Sequence, residues 1–412
     1  MKRRIANLPL HGGKAPAWLF KRMAALAGGI TMAVVDEFGP EEMLRRLSDP
    51  WWFQAFGCVL GFDWHSSGVT TVTCGALGEA YRRFGDDLGI VVAGGKGRAS
   101  RKTPHEIADA ASRLGIAGGD RLVYASRMSA KVDSAAVQDG YQIYHHSFFL
   151  VPRGAWCVVQ QGMNEEAGYA RRYHWLGETV SDFVCEPHNA VEDVGSGAPG
   201  SGALSVKLLT PSRPHANDSN GKGVRSRTHR APDPYGPDPD LLNMVASEAD
   251  ASRKASAALV RERPDWLLGE VERLTEGPTL FAPAHHPVLP QDVNRDHLRK
   301  AVTLAHERNP QDFESLLGTR EVGPVTVRSL ALLAEVIYNA PASHRDPAEA
   351  SRRKWADYSY AHGGKDGHPF PVDRKTYDRN IEILLSAVRR SRIGDVEKTE
   401  ALKRLARIAP GI

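Results

Sequence analysis

The sequence predicts an α+β fold, with an N-terminal mixed domain built on a small, mostly antiparallel sheet and an all-helical C-terminal domain. Three observations carry this expectation. Residues 141–151 and 156–161 are rich in β-branched and aromatic side chains and flank Pro152, Arg153, Gly154 and Ala155, the pattern of an antiparallel hairpin. Residues 191–239 are dense in Gly, Ser and Pro, with one short apolar break at 204–209, which is the composition of a linker or a loosely ordered loop. Beyond residue 240 the apolar positions recur at three- and four-residue spacings, as helices require. The domains are therefore placed at 1–190 and 240–412, with 191–239 between them.

A chain of 412 residues has room for two or three domains, and 42% hydrophobic with 25% charged residues is the balance of a soluble globular protein. Lys and Arg number 53 against 49 Asp and Glu, a net charge of +4 that permits a polyanionic partner without demanding one. Cys58, Cys74, Cys157 and Cys185 stand singly with no C-x-x-C pair, so neither a zinc knuckle nor a disulfide framework is encoded. That usage fits a cytoplasmic protein. The basic opening Met1, Lys2, Arg3, Arg4 runs into His11, Gly12, Gly13 and Lys14 instead of an apolar core, so no signal peptide is expected, and no window reaches the length of a membrane span.

Taken in order, Trp18, Leu19, Met23, Leu26 and Ile30 predict a first helix, and Pro40, Glu41 and Glu42 open a second. Trp51, Trp52, Phe53 and Phe56 read as core. Asp63, Trp64, His65, Ser66, Ser67 and Gly68 form a polar turn between apolar runs, which is costly unless its groups are paired or used. Residues 88–93 predict a short buried strand that enters a glycine loop carrying Lys96, Arg98, Arg101 and Lys102. Thr103, Pro104, His105 and Glu106 then have the form of a capping box. A strand, a basic glycine loop and a capped helix can hold a phosphate by charge and backbone N–H groups together.

In the predicted hairpin, alternation puts Gln142, Tyr144, His146 and Phe148 on one face, and Tyr141, Ile143, His145 and Ser147 on the other. Just upstream lie Asp133 and Asp139, with Lys131 beside them. Carboxylates, an imidazole and a cation at strand edges suit a phosphodiesterase that uses a divalent metal, Mg or Mn. The candidate ligands are Asp63, His65, Asp133, Asp139 and His146, and Lys131 is a candidate catalytic cation. Arg171 and Arg172, interleaved with Tyr173 and Trp175, suit contact with a nucleic-acid backbone and its bases.

The stretch ESLLGTREVGPVTVRSLALLAEVIY, residues 314–338, reads as two helices around a glycine turn, with Gly323 free to take a positive φ and Pro324 at the first helical position. Leu330, Leu333, Ala334 and Ile337 would pack the pair. The stretch resembles the helix-hairpin-helix motif of DNA-repair and recombination proteins, with Val322, Gly323, Val325 and Thr326 at its backbone-binding positions and Glu321 in place of the usual first glycine. Pro371, Val372 and Asp373 follow in the order used by helix-hairpin-helix DNA glycosylases. That resemblance makes Asp373 a candidate catalytic carboxylate, and Val325 in place of their lysine implies a monofunctional enzyme.

Over nearly its whole length the chain also resembles a widespread prokaryotic family catalogued as domain of unknown function 763. The blocks that carry it include LSDPWWFQAFGCVLGFDWHSSG, AGGKGRASRKTPHEI, ASRMSAKVDSAAVQDGYQIYHHSFF and YAHGGKDGHPFPVDRKTYD. The expected function is that of a DNA-binding, DNA-processing enzyme of repair type, a metal-dependent nuclease with duplex DNA as partner. A monofunctional glycosylase and a non-catalytic DNA-binding accessory protein are the alternatives.

Overall fold

The computed structural model describes residues 17–61, 67–165, 169–195, 241–275 and 294–348, together with residues 386, 389, 394–396, 398, 399 and 403. Four helices come first: α1 (Ala17–Phe38), α2 (Pro40–Ser48), α3 (Pro50–Leu60) and α4 (Ser67–Phe84). Pro40 at the first position of α2 is followed by Glu41 and Glu42, acids that favour a helix N-terminus. The strand β1 (Val91–Lys96) leads through a 3-10 turn at Gly97–Lys102 into α5 (Thr103–Leu114) and α6 (Gly119–Lys131).

A π-helical turn at Val132–Ala136 then reaches β2 (Val137–Gln138), and the chain enters β3 (Gln142–Leu150), β4 (Trp156–Asn164), β5 (Tyr169–Leu176) and β6 (Ala190–Gly195). After residue 240 come β7 (Leu242–Asn243), α7 (Asp250–Leu259), α8 (Pro264–Thr275), α9 (Arg295–Arg308), α10 (Phe313–Leu317) and α11 (Pro324–Tyr338).

The α+β class stands, as a mostly helical chain around a five-stranded antiparallel sheet of order β1-β3-β4-β5-β6. The expected β3–β4 hairpin forms, with Leu150 opposite Trp156 across its turn. Because successive strand side chains point to opposite faces, the sheet feeds two cores. One face buries Phe149, Val151, Cys157 and Val159 with Met23, Ile30, Trp52, Phe53 and Leu77 of the first four helices. The other buries Phe148, Leu150, Val158, Tyr173 and Trp175 with Ile107, Leu122, Leu259, Leu267, Leu298, Leu316 and Leu330. Fully burying side chains such as Trp52, Phe53 and Phe148 contributes roughly 1.5–3 kcal/mol each.

Several local expectations are corrected. The segment after residue 240 is not purely helical, since β7 pairs with β2 and Asn243 bridges to Ser343. Residues 191–195 belong to β6, so the sheet runs further into the chain than its glycine content implies. The stretch holding Arg171 and Arg172 is a buried central strand. In β3 a bulge between Ile143 and His145 breaks the alternation. Ile143 then packs on the Phe148 core, and Tyr144 reaches Gln161, which also bonds Ser67 and Thr70 of α4. Tyr144 therefore does not share a face with His146. Glu106 does not close a capping box on Thr103; its Oε2 accepts from Gly94 N at 2.7 Å and ties α5 to β1. In α11, Leu330, Leu333 and Ala334 are buried as expected, and Ile337 is 41% exposed.

Gly94 holds φ at +91°, and a Cβ there would lie 2.3 Å from the His146 carbonyl oxygen. Gly94→Ala should cost about 1–3 kcal/mol in urea unfolding, from strain and backbone collision together. Gly97→Ala, also at positive φ but with nothing within 4 Å of the added carbon, should cost only about 1 kcal/mol.

Candidate nucleic-acid interface

The glycine loop after β1 is a fixed platform for charge. Ser100 Oγ donates to the Gly97 carbonyl at 2.6 Å and Thr103 Oγ1 to the Ser100 carbonyl at 2.8 Å, so the 3-10 turn is stitched by its own hydroxyls. Lys96, Arg98, Arg101 and Lys102 are all exposed on it. None of the four forms an ion pair with a carboxylate among the described residues. Lys96 Nζ stands instead over an aromatic ring, 5.6 Å from the Tyr144 centroid.

The helical pair α10–α11 forms where the sequence places it, with Asp312 and Ser315 capping α10 reciprocally. Its turn differs from expectation. Gly323 is extended, at φ −138° and ψ −168°, and the left-handed position belongs to Glu321 at φ +69°. The Glu321 carboxylate is held by Lys300 at 3.0 Å, with Arg320 and His297 nearby, and these cations lower its pKa. Val322 and Thr326 are buried, and Val325 is 40% exposed. Gly323 caps α11 without a side chain.

Lys131 is anchored to this turn. Its Nζ donates to the carbonyls of Leu317, Thr319 and Val322, the first at 2.6 Å and the last at 3.0 Å. Burial, with Arg308 adding to it, pushes the ammonium down to about 8. Lys131 thus satisfies the last carbonyl of α10 and two carbonyls of the turn after it, a role its sequence position did not disclose.

Asp133 is fully buried in the π-helical turn. Trp175 Nε1 donates to its Oδ2 at 2.8 Å, Gln160 Nε2 donates to the same oxygen, and His188 Nε2 meets Oδ1. Gln160 turns its Oε1 to His146 Nδ1 at 2.7 Å, and Ser126 Oγ lies 2.9 Å from His146 Nε2. With the Gln160 amide fixed by Asp133, His146 carries its proton on Nδ1 and accepts from Ser126. Burial lowers the His146 pKa against the pull of Gln160.

Asp139 is buried against Arg171 Nη1 at 2.9 Å and the Tyr173 hydroxyl at 2.8 Å; burial raises its pKa despite Arg171. Arg171 also reaches Asp193 at 2.7 Å and Asp346 at 2.9 Å. On the opposite face Arg172 pairs with Glu192 at 2.7 Å, with both side chains fully buried. Neither arginine presents its charge outward. Sequence reasoning missed His188, Glu192, Asp193 and Asp346; the acidic pair at 192 and 193 was visible, but not its register beside β5.

The expected metal set does not assemble from what is described. Asp133, Asp139 and His146 have their donor atoms engaged by protein groups, and among the described residues no three His, Cys, Asp or Glu side chains form a group that could hold a metal ion. Asp63, His65 and Asp373 lie outside the described residues. No helix among the described residues is long and apolar enough to cross a membrane.

Residues 4–198 and 224–372 match the family described as Protein of unknown function (DUF763). The chain belongs to the DUF763 family. No curated protein and no solved structure matches it. The basic loop, the Asp133 centre and both arginines of β5 all fall within the DUF763 match.

Three buried histidines give this DUF763 chain an acid limit. Burial, with His146 and Lys96 adding to it, pushes His145 down to about 3, and burial also depresses His146 and His174. The unfolded chain, whose histidines titrate near 6.5, therefore binds more protons below that pH, so stability is complete above about 6.5 and falls as pH drops toward 3. In urea titrations between pH 7 and 5, His145→Asn should reduce the slope of stability against pH by about 1 kcal/mol per unit on average.

Proposed function

We propose that the protein binds duplex DNA and acts in DNA processing of the repair type. The observation that carries the reading is the rigid loop of four exposed cations, Lys96, Arg98, Arg101 and Lys102, which no carboxylate neutralises among the described residues. A turn that holds four exposed cations together, with no acid paired to them, keeps its field available to a polyanion. The uncapped start of α11 at Gly323, beside the exposed Val325, offers backbone N–H groups to a phosphate oxygen and is the part that resembles a helix-hairpin-helix.

The enzymatic form of this reading is phosphodiester hydrolysis by a metal-dependent nuclease using Mg or Mn. Because Asp133, Asp139 and His146 are internally engaged, that form depends on Asp63 and His65 for metal ligation. A non-catalytic DNA-binding accessory protein is the second reading, favoured by the same internal pairing of Asp133, Asp139 and Arg171.

Fluorescence anisotropy with a labelled duplex separates these. Wild type should show a log affinity that falls linearly with log salt, and the double variant Arg98→Gln/Arg101→Gln should reduce that slope by about 1.8, near 0.9 per lost phosphate contact. Equal slopes and affinities in the two proteins would refute the loop as the DNA contact. Cleavage that requires Mg or Mn and disappears in Asp63→Ala with binding retained establishes the nuclease form; binding without product in any condition leaves the accessory form.

A further inference from the structure

The β3 bulge creates a second feature at the root of the basic loop. Bulges re-aim side chains, and here Tyr144 is turned to the face that α4 covers. Its phenol oxygen accepts from Gln161 Nε2, which also donates to the Ser67 carbonyl at 3.1 Å. Gln161 Oε1 in turn accepts from Thr70 Oγ1, Thr70 accepts from Arg172 Nη1 at 3.3 Å, and Arg172 Nη2 donates to Glu192 Oε2 at 2.7 Å. Donation thus runs outward from Arg172, to Glu192 on one side and through Thr70 and Gln161 to Tyr144 on the other, and it follows a register row across the sheet: Lys96, His145, Gln161, Arg172 and Glu192 are Cα partners from β1 through β6.

Two consequences follow from donor and acceptor counting. Gln161 has used both amide hydrogens, so the phenol oxygen is held as an acceptor. The hydroxyl hydrogen of Tyr144 has no acceptor among the described residues. Tyr144 is half-buried, so its orientation is fixed while its edge is reachable, and the Lys96 ammonium stands over the ring. His145, the next residue, is 1% exposed with no partner for Nδ1. A phenol O–H with no acceptor among the described residues and a lysine ammonium over its ring are complementary to an anionic oxygen.

We propose that Lys96 and Tyr144 form a phosphate-contact subsite in which Tyr144 donates to a phosphodiester oxygen of the nucleic acid held by the loop, with Gln161 as the positioning residue. The proposal rests on the DNA-binding reading and adds a neutral donor to it. Charge and hydrogen bonding then have separate signatures: removing a cation changes the salt slope, whereas removing the hydroxyl changes affinity at every salt concentration by the same factor.

The test uses the full chain with Tyr144→Phe, which deletes one oxygen, beside Lys96→Gln. With a labelled duplex, Tyr144→Phe should weaken binding about tenfold with the salt slope unchanged, and Lys96→Gln should lower the slope by about 0.9. Unfolding midpoints equal to wild type exclude a general loss of structure. Wild-type affinity in Tyr144→Phe overturns the subsite and leaves the DNA-binding reading standing. If wild type itself does not bind duplex, that reading fails, and the subsite is then judged by thermal shift in inorganic phosphate. A shift present in wild type and lost in Tyr144→Phe supports it, and equal shifts, or none, overturn it.

Discussion

Two neighbouring arginines on one strand hold this molecule to its sheet. A β-strand sends successive side chains to opposite faces, so Arg171 and Arg172 cannot share a partner. Arg171 gathers Asp139, Asp193 and Asp346 on the face that packs α5 through α11, while Arg172 takes Glu192 on the face that packs α1 through α4. Buried charges of this kind are costly to strand: removing one partner of such a pair costs about 3–5 kcal/mol, because the other is left uncompensated. One acid for each arginine, Glu192 and Asp193, sits on β6, so the pairing of β5 with β6 also supplies part of the neutralisation of the core.

The interior polar groups are joined to the same arrangement. Asp133 collects three N–H donors from β4, β5 and the segment before β6, and the hydrogen bonds continue through Gln160 to His146 and α6. Several carboxylates and imidazoles are thus gathered inward, where they order the sheet against its helices, while the turn after β1 holds four exposed cations with no ion pair among the described residues. The division of labour is electrostatic: acids and bases cancel in the core, and an uncancelled positive field is left at one sheet end.

How much of this was legible follows from the range of each signal. The β3–β4 hairpin was readable, because alternation, β-branched residues and a Pro-Arg-Gly-Ala turn all act within a few residues. The basic loop was readable for the same reason, as were α2, opened by Pro40, and α11, opened by Pro324. The Tyr144 bulge was not, since it depends on how β3 meets β4 and no residue in β3 announces it. Arg171 and Arg172 looked like surface cations because their acidic partners are some twenty residues on, and a register cannot be read from composition. Asp133 and His146 were read as metal ligands; the structure engages both internally, through His188 and Gln160, whose pairing across the fold carries no local mark. At the α10–α11 turn, glycine was the natural choice for positive φ; the structure puts Glu321 there instead, with Lys300 holding its carboxylate.

Lys131 grips the α10–α11 turn solely through main-chain carbonyls. An anchor made to backbone oxygens is indifferent to the side chains that decorate them. Residues such as Arg320 and Val325 can therefore drift or be exchanged for others while the turn keeps its place on α6. The side chains on the turn can thus be exchanged without renegotiating its seat on the fold.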